Sequence, residues 1–262
     1  MGQDDQRRLI TTIERATDVL TLFTRVDRAD LGVTEIASEL KLSKAVVHRV
    51  LTTLAAKGFV EADAESRRYR LGPMVLALGV AYADRIDLRA LVMPRLRDLS
   101  EQTNETATLS LRYGWERIYV DQVTPDREVK MSVALGRRFP LHAGSSSKAF
   151  LAFLPTEEQD RYLAERPLDP LTDQTITDVD TLRAELTTIR ERGYAVSYGE
   201  RQAGAGSIAA PLLDHRGQPV AAISVCGPLE RFSDEVDEIS SLLLRTAHEL
   251  SRQLGHVQAR SA

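Results

Sequence analysis

Apolar residues recur at helical spacing twice in quick succession early in the chain, first as Ile36, Ala37 and Leu40, then, past a short polar turn, as Val47, Val50, Leu51 and Leu54. The pattern predicts a helix, a turn and a second helix, with Ser43 as the N-cap of the second helix and Gly58 as its stop. An earlier stripe, Ile13, Ala16, Leu20 and Phe23, predicts a helix that packs behind the pair. Burying the apolar side of the second helix leaves Lys44, Ala45, Val46, His48, Arg49 and Thr53 outward beside Ser43, the form of a helix that enters a DNA major groove. Past Gly58 the period changes to two. Phe59 to Ala62 and Arg67 to Leu71 predict a hairpin with Tyr69 and Leu71 inside and Arg68 and Arg70 outside, placed to straddle phosphates. Helix, turn, capped helix, glycine stop and arginine-bearing hairpin together predict a winged helix-turn-helix.

Met74 to Ala83 is apolar almost all round, and its small residues Ala77, Gly79, Ala81 and Ala83 let a second helix come close, so a dimer contact is expected there. A helix from Asp87 to Thr103, with Pro94 as a kink or break, opens a second domain. Strands are expected at Thr106 to Leu111, Arg117 to Val123, Val129 to Val133, Ala195 to Tyr198, Ser207 to Leu213 and Val220 to Cys226. Helices are expected at Lys148 to Leu154, Glu157 to Ala164, Val179 to Arg192 and Asp234 to Leu254. The fold class is therefore α+β, a mostly antiparallel sheet flanked by helices behind a DNA-binding domain. The expected divisions are 1–72, a linker helix at 73–86, and 87–262.

Charge modifies this picture only slightly. The 262 residues carry a net charge of −4, yet residues 1–72 hold 12 basic against 11 acidic side chains, so DNA binding must come from local placement of cations. One cysteine, Cys226, excludes an internal disulfide, and five scattered histidines show no metal-ligand spacing, so neither metal nor cofactor is expected. The first eight residues lack the apolar core of a signal peptide and no run reaches the length of a membrane span, which reads as a cytoplasmic protein.

Ser145 and Lys148 satisfy S-x-x-K, the spacing of a serine nucleophile and its lysine, although no K-T-G strand accompanies it. A serine-dependent hydrolase is thus the alternative to a ligand-controlled regulator. Gly204-Ala205-Gly206-Ser207-Ile208-Ala209 fits a dinucleotide turn, but it leads into a β-rich run containing Pro211 where that turn would open a helix. Ser145 to Ser147 lies at a loop-to-helix transition, where free amides at the positive helix end suit a carboxylate.

Over nearly its whole length the sequence resembles the IclR family of bacterial transcriptional regulators. The resemblance is carried by residues 14–20, Leu42-Ser43-Lys44 with Val47-His48-Arg49, Arg68 to Gly72, Gly136 to Ala143, Lys148 to Ala152, Arg190 to Tyr194, Ile208 to Pro211 and Ala222 to Pro228. It implies a winged helix-turn-helix, a linker helix used in dimerisation and a GAF-like effector domain, in a homodimer or a dimer of dimers on palindromic double-stranded DNA. By the family's spacing Ser197, Ser207, Ser224 and Cys226 line the effector cavity with Ser145 and Ser146, and Met131 and Leu141 are its apolar walls. A small organic acid bearing further polar groups is the expected ligand. The chain departs from the family at Lys41, where glycine is usual, and at Ala45-Val46, where Ser-Thr is common. It departs again at Ser197, Ser207 and Cys226, which stand where relatives often place aspartate, cysteine and serine.

Overall fold

The computed structural model describes residues 10–26, 28–83, 87–232 and 235–257. The N-terminal octet, the end of the expected linker at 84–86, the expected helix start at Asp234 and the last residues, 258–262, lie outside them. The chain divides into two compact units with the break between Ile86 and Asp87.

In the first unit α1 (Thr11–Leu22), α2 (Val33–Glu39) and α3 (Lys44–Ala56) enclose a core of Val19, Leu22, Phe23, Ile36, Val47, Leu51 and Leu54. Of the stripe expected on α1, Phe23 is in the core and Ala16 and Leu20 pack against it, whereas Ile13 is exposed and Val19 and Leu22 join the core. Strands β1 (Val60–Ala62) and β2 (Tyr69–Leu71) pair antiparallel, with Glu61 opposite Arg70. Leu31 adds a short bridge to Tyr69, exchanging both backbone hydrogen bonds at 2.8 and 2.9 Å. Tyr69 is half-buried, but Leu71, expected beside it on the inner face, is exposed. The hairpin is too short to cover its last residue. After it comes α4 (Pro73–Ala83), which leaves Met74, Leu76 and Leu78 exposed.

The second unit is a six-stranded antiparallel sheet of order β5-β4-β3-β8-β7-β6. Its strands are β3 (Thr106–Tyr113), β4 (Glu116–Val123), β5 (Arg138–Pro140), β6 (Ala195–Tyr198), β7 (Ala205–Leu213) and β8 (Pro219–Pro228). The strand expected at Val129 to Val133 is absent. That stretch is irregular, tied to β4 by the Gln122 side chain, which accepts from the Val133 amide at 2.9 Å and donates to the Val133 carbonyl at 3.1 Å. Side-chain bonds of this kind satisfy the backbone without a ladder. The edge strand is β5 instead.

Period-two alternation gives the sheet two unlike faces. Ala107, Leu109, Ile208, Ala210, Leu212, Ile223 and Val225 face α5 (Leu88–Thr103) and α10 (Val236–Gln253), making the larger core. Helix α5 continues through Pro94, whose missing N–H did not end it; Val92, Leu96 and Leu99 bury one side of the helix across the proline. The other face carries Thr106, Thr108, Ser110, Arg117, Ser207, Ser224 and Cys226 and is covered by α6 (Ser145–Phe153), which packs on β6, β7, β8 and on α8 (Val179–Arg192). Helix α7 (Thr156–Glu165) and the one-turn α9 (Leu229–Phe232) complete the unit. Among the described residues no helix is long and apolar enough to cross a membrane.

Candidate DNA-reading helix and effector site

Both ends of the turn-helix unit close in the same way. At the end of α2 the Lys41 amide donates to Ser38 O and the Leu42 amide to Ala37 O; at the end of α3 the Gly58 amide donates to Ala55 O and the Phe59 amide to Leu54 O. This doubled closure needs one residue in the left-handed region, and those residues are Lys41, at φ 53°, and Gly58, at φ 73°. Lys41 therefore holds a conformation its Cβ disfavours. Ser43 caps α3, accepting from the Val46 amide at 3.4 Å. Val47, Val50, Leu51 and Leu54 are buried, Val46 is half-buried, and Ser43, Lys44, Ala45, His48, Arg49 and Thr53 are exposed together. The Thr53 hydroxyl donates back to Arg49 O at 3.0 Å. Arg15 of α1, which the sequence reading passed over, flanks the same edge of α3 as Arg49, across a groove that Thr12 and Thr53 also line.

The wing arginines differ from their expected placement. Arg68 is not free on an outer face. Its Nε donates to Asp30 Oδ1 at 2.6 Å and its Nη2 to Glu35 Oε2 at 2.7 Å, while the other function of Glu35 is to accept the Gly32 amide that starts α2, at 2.9 Å. A left-handed Arg67 at the preceding position turns the strand so that Arg68 faces α2. Arg70 is exposed and pairs with Glu61, directly opposite in the hairpin, through two bonds of 3.0 and 2.9 Å.

In the second unit the register assembles most of the residues named by spacing. Ser197 lies opposite Ser207, Ser207 opposite Cys226, and Cys226 opposite Thr106, so one transverse row crosses β6, β7, β8 and β3 on the polar face. Gly144, at φ 88°, turns the chain into α6 above this row, a conformation suited to glycine. The Ser145 hydroxyl donates to Ser207 Oγ at 2.8 Å, and Ser146 is buried in the same first turn, where backbone amides have no helical partner. Cys226 packs with Tyr119, Val133, Phe139 and the half-buried Met131. Burial pushes its thiol up to about 12, so it is a neutral wall.

Two named residues lie elsewhere. Leu141 is buried in the core that α6 shares with α7 and α8, among Phe150, Leu151 and Leu182, since it follows β5 and turns away from the row. Ser224 sits one row deeper, where its hydroxyl is bonded to Thr108 at 2.6 Å. The S-x-x-K pair is not assembled either. Lys148 is buried and its ammonium donates to Glu200 at 2.5 Å and to Glu185 at 3.1 Å, while Ser145 bonds Ser207. Glu200 in turn accepts the Gly144 amide at 3.1 Å, so this ion pair fixes the start of α6.

The residue that sequence reasoning missed is Arg117 of β4. It is fully buried, donating from Nε to Ser147 Oγ at 2.8 Å, from Nη1 to Ser110 Oγ at 3.3 Å and from Nη2 to Tyr119 Oη at 2.9 Å. Its Cζ stands 4.1 Å from the Tyr119 ring centroid and 5.1 Å from that of Phe139. Burial pulls its pKa below the ordinary arginine value, yet a guanidinium stays charged at neutral pH. Among the described residues all of its hydrogen-bond partners are neutral, and two of the five N–H groups of a guanidinium are left over. A buried cation without a counter-ion costs several kcal/mol. Alternation along β4, with Ile118 and Val120 on one face and Arg117 and Tyr119 on the other, was the signal available in the sequence.

The family model described as IclR helix-turn-helix domain matches residues 12–64, and that described as bacterial transcriptional regulator IclR C-terminal matches residues 80–252. The HTH-type transcriptional regulator BhcR of Paracoccus denitrificans is 37% identical over 92% of this chain and 86% of its own length. The HTH-type transcriptional regulator KipR of Bacillus subtilis is 33% identical over 94% of this chain and 97% of its own. Among solved structures, a candidate IclR transcriptional regulator from Silicibacter sp. TM1040 superposes with TM-score 0.86 at 30% identity, covering 95% of this chain and 97% of that one. The Thermotoga maritima IclR gives TM-score 0.63 at 34% identity, over 94% and 99%.

Proposed function

The chain belongs to the IclR family of bacterial transcriptional regulators, with a helix-turn-helix unit for DNA and a C-terminal effector domain, and from that premise we propose that it is switched by a small organic acid. The observation that carries the proposal is Arg117, a buried cation whose hydrogen-bond partners among the described residues are all neutral. One carboxylate of the ligand meets the free N–H groups of Arg117 and the amides at Ser145 and Ser146, a charge-assisted arrangement at a helix N-terminus. Hydroxyl, keto or amide groups elsewhere on the ligand meet Ser197 and Ser207, with Met131 and Cys226 as apolar walls.

On DNA, two copies of α3 enter successive major grooves of a palindromic duplex, about 34 Å or a multiple apart. Lys44 and Arg49 contact guanine edges or phosphates, and Val46 packs on a thymine methyl. Ser43, Ala45, His48 and Thr53 complete the contact face, and Arg70 reaches a phosphate by exchanging Glu61 for it. Arg68, engaged by Asp30 and Glu35, positions the wing. Pairing through α4 makes the homodimer, which works in the cytoplasm. Nothing in the Ser145 and Lys148 geometry favours the hydrolase reading.

A thermal-shift screen of small organic acids tests the ligand. Ser146→Pro removes one amide donor and Ser207→Leu fills the cavity, so each should abolish the response while leaving ligand-free operator affinity unchanged. A full response in both variants would place the effector elsewhere.

A further inference from the structure

The polar side of the sheet gathers more positive charge round Phe139 than one carboxylate balances. Three guanidinium groups gather round Phe139, with the Cζ of Arg201 at 4.9 Å and those of Arg117 and Arg137 at 5.1 Å from the ring centroid. Arg201 also stands 5.7 Å from the Tyr119 ring that Arg117 covers. None of the three has an ion-pair partner among the described residues, whereas the acids at the edges of the site pair with other cations. Glu200, next to Arg201 in the chain, holds Lys148 and the Gly144 amide. Glu105 holds Arg127 and Arg231 through Oε1, and its buried Oε2 has no hydrogen-bond partner among the described residues. The neutral Cys226 thiol supplies no compensating charge. Like charges gathered round one ring repel, and anions among them relieve that repulsion.

The three cations also differ in depth. Arg117 is fully buried, Arg201 is half-buried and Arg137 is exposed, so positive charge runs from the floor of the site to its mouth. Arg201 lies against the first turn of α6, where a Cβ on Gly144 would meet its side chain at 3.4 Å. We propose that the effector is a dianion, a dicarboxylic acid with one carboxylate on Arg117 and the amides of α6 and the second held at the mouth by Arg201 and Arg137. This rests on the organic-acid reading and narrows it. Arg201 is the specificity-determining residue: it distinguishes a second carboxylate from a methyl or hydroxyl end.

The test is isothermal titration of the full-length protein with carboxylic acids matched in carbon number, butyrate against succinate and pentanoate against glutarate, at fixed ionic strength. At least one dicarboxylate should bind about tenfold or more tighter than its monocarboxylate partner, the size expected for a charge-assisted contact. Arg201→Gln should remove that advantage and leave monocarboxylate affinity unchanged, and Arg137→Gln should reduce it in part. Equal affinity of both members of each pair, or an Arg201→Gln protein that keeps its preference, overturns the dianion while the organic-acid reading stands. If no acid of either kind binds wild type but the protein still binds DNA, the organic-acid reading falls and this inference with it. Arg201 is half-exposed and makes no hydrogen bond among the described residues, so the variant should fold; an unchanged melting temperature checks this.

Discussion

Lys41 and His142 show how single residues carry costs that their neighbours impose. Lys41 holds the left-handed position that ends α2, the position Gly58 fills at the end of α3. The Cβ penalty there is about 1–2 kcal/mol, partly offset because glycine has a more disordered unfolded state. Lys41→Gly should therefore stabilise the first unit by about 0.5–1 kcal/mol, read from denaturant midpoints at constant m-value. His142 is buried with Nδ1 3.0 Å from Tyr162 Oη and Nε2 3.0 Å from Asp169 O. Nε2 must donate to the carbonyl, so Nδ1 accepts from the phenol and the ring is neutral. Burial lowers its pKa below the ordinary 6.5. The unfolded chain then binds the extra proton first. Stability from this group is complete above about pH 6.5 and declines as pH falls from there towards the folded-state pKa. His142→Gln should flatten that acid limb; an unchanged limb, measured by thermal melts between pH 5 and 8, would assign it to other groups.

Among elements, the wing and α4 make separable predictions. Arg70 and Arg68 sit two residues apart but face different partners, Glu61 across the hairpin and the Asp30/Glu35 pair at α2. Arg70→Ala should weaken binding about equally on all duplexes and reduce the slope of log K against log salt by about 0.9, one phosphate contact. Arg68→Ala should instead lower the melting temperature of the first unit, because it releases the acid that starts α2. If Arg68→Ala changed only the salt slope, the bridge to α2 would be irrelevant in solution. Helix α4 exposes Met74, Leu76 and Leu78, a run of apolar surface on a short helix. Leu78→Glu should give monomers by sedimentation with weakened operator binding. Sedimentation as an unchanged oligomer would remove α4 from the interface.

At the level of the whole molecule, two units with separate cores, one centred on Val47 and Leu51 and the other on the two faces of the sheet, provide two sets of stabilising contacts. Heat should therefore unfold the chain in two transitions rather than one. Free effector at about 100 times its dissociation constant should stabilise only the second unit, by about 2.7 kcal/mol. A ligand that raised both transitions equally would couple the units at equilibrium. Allosteric control of DNA binding requires such coupling at least in the DNA-bound oligomer, so the comparison of free and DNA-bound protein shows where it arises.

What the sequence determined by itself is local or periodic. Helical spacing located the helix-turn-helix, the Ser43 cap and Gly58 stop marked its ends, and the β-rich runs at Thr106 to Leu111 and Arg117 to Val123 placed β3 and β4, because each is set by contacts within a few residues. The row Ser197, Ser207, Cys226 came from family spacing and holds because antiparallel register converts spacing into position. Tertiary structure alone decided the rest. Alternation could not tell that the polar side of the sheet would also be covered, by α6, and that covering is what buries Arg117 and leaves it without a carboxylate. Arg68 looked like Arg70 along the strand; only the fold brings Asp30 and Glu35 to it. Ser145 and Lys148 share a helical turn in sequence, but Glu200, 52 residues further along, claims the ammonium. Val129 to Val133 has strand composition, yet Gln122 binds its backbone and the ladder passes to β5. Each of these depends on a partner far along the chain, and burial and charge pairing are properties of the partner as much as of the residue.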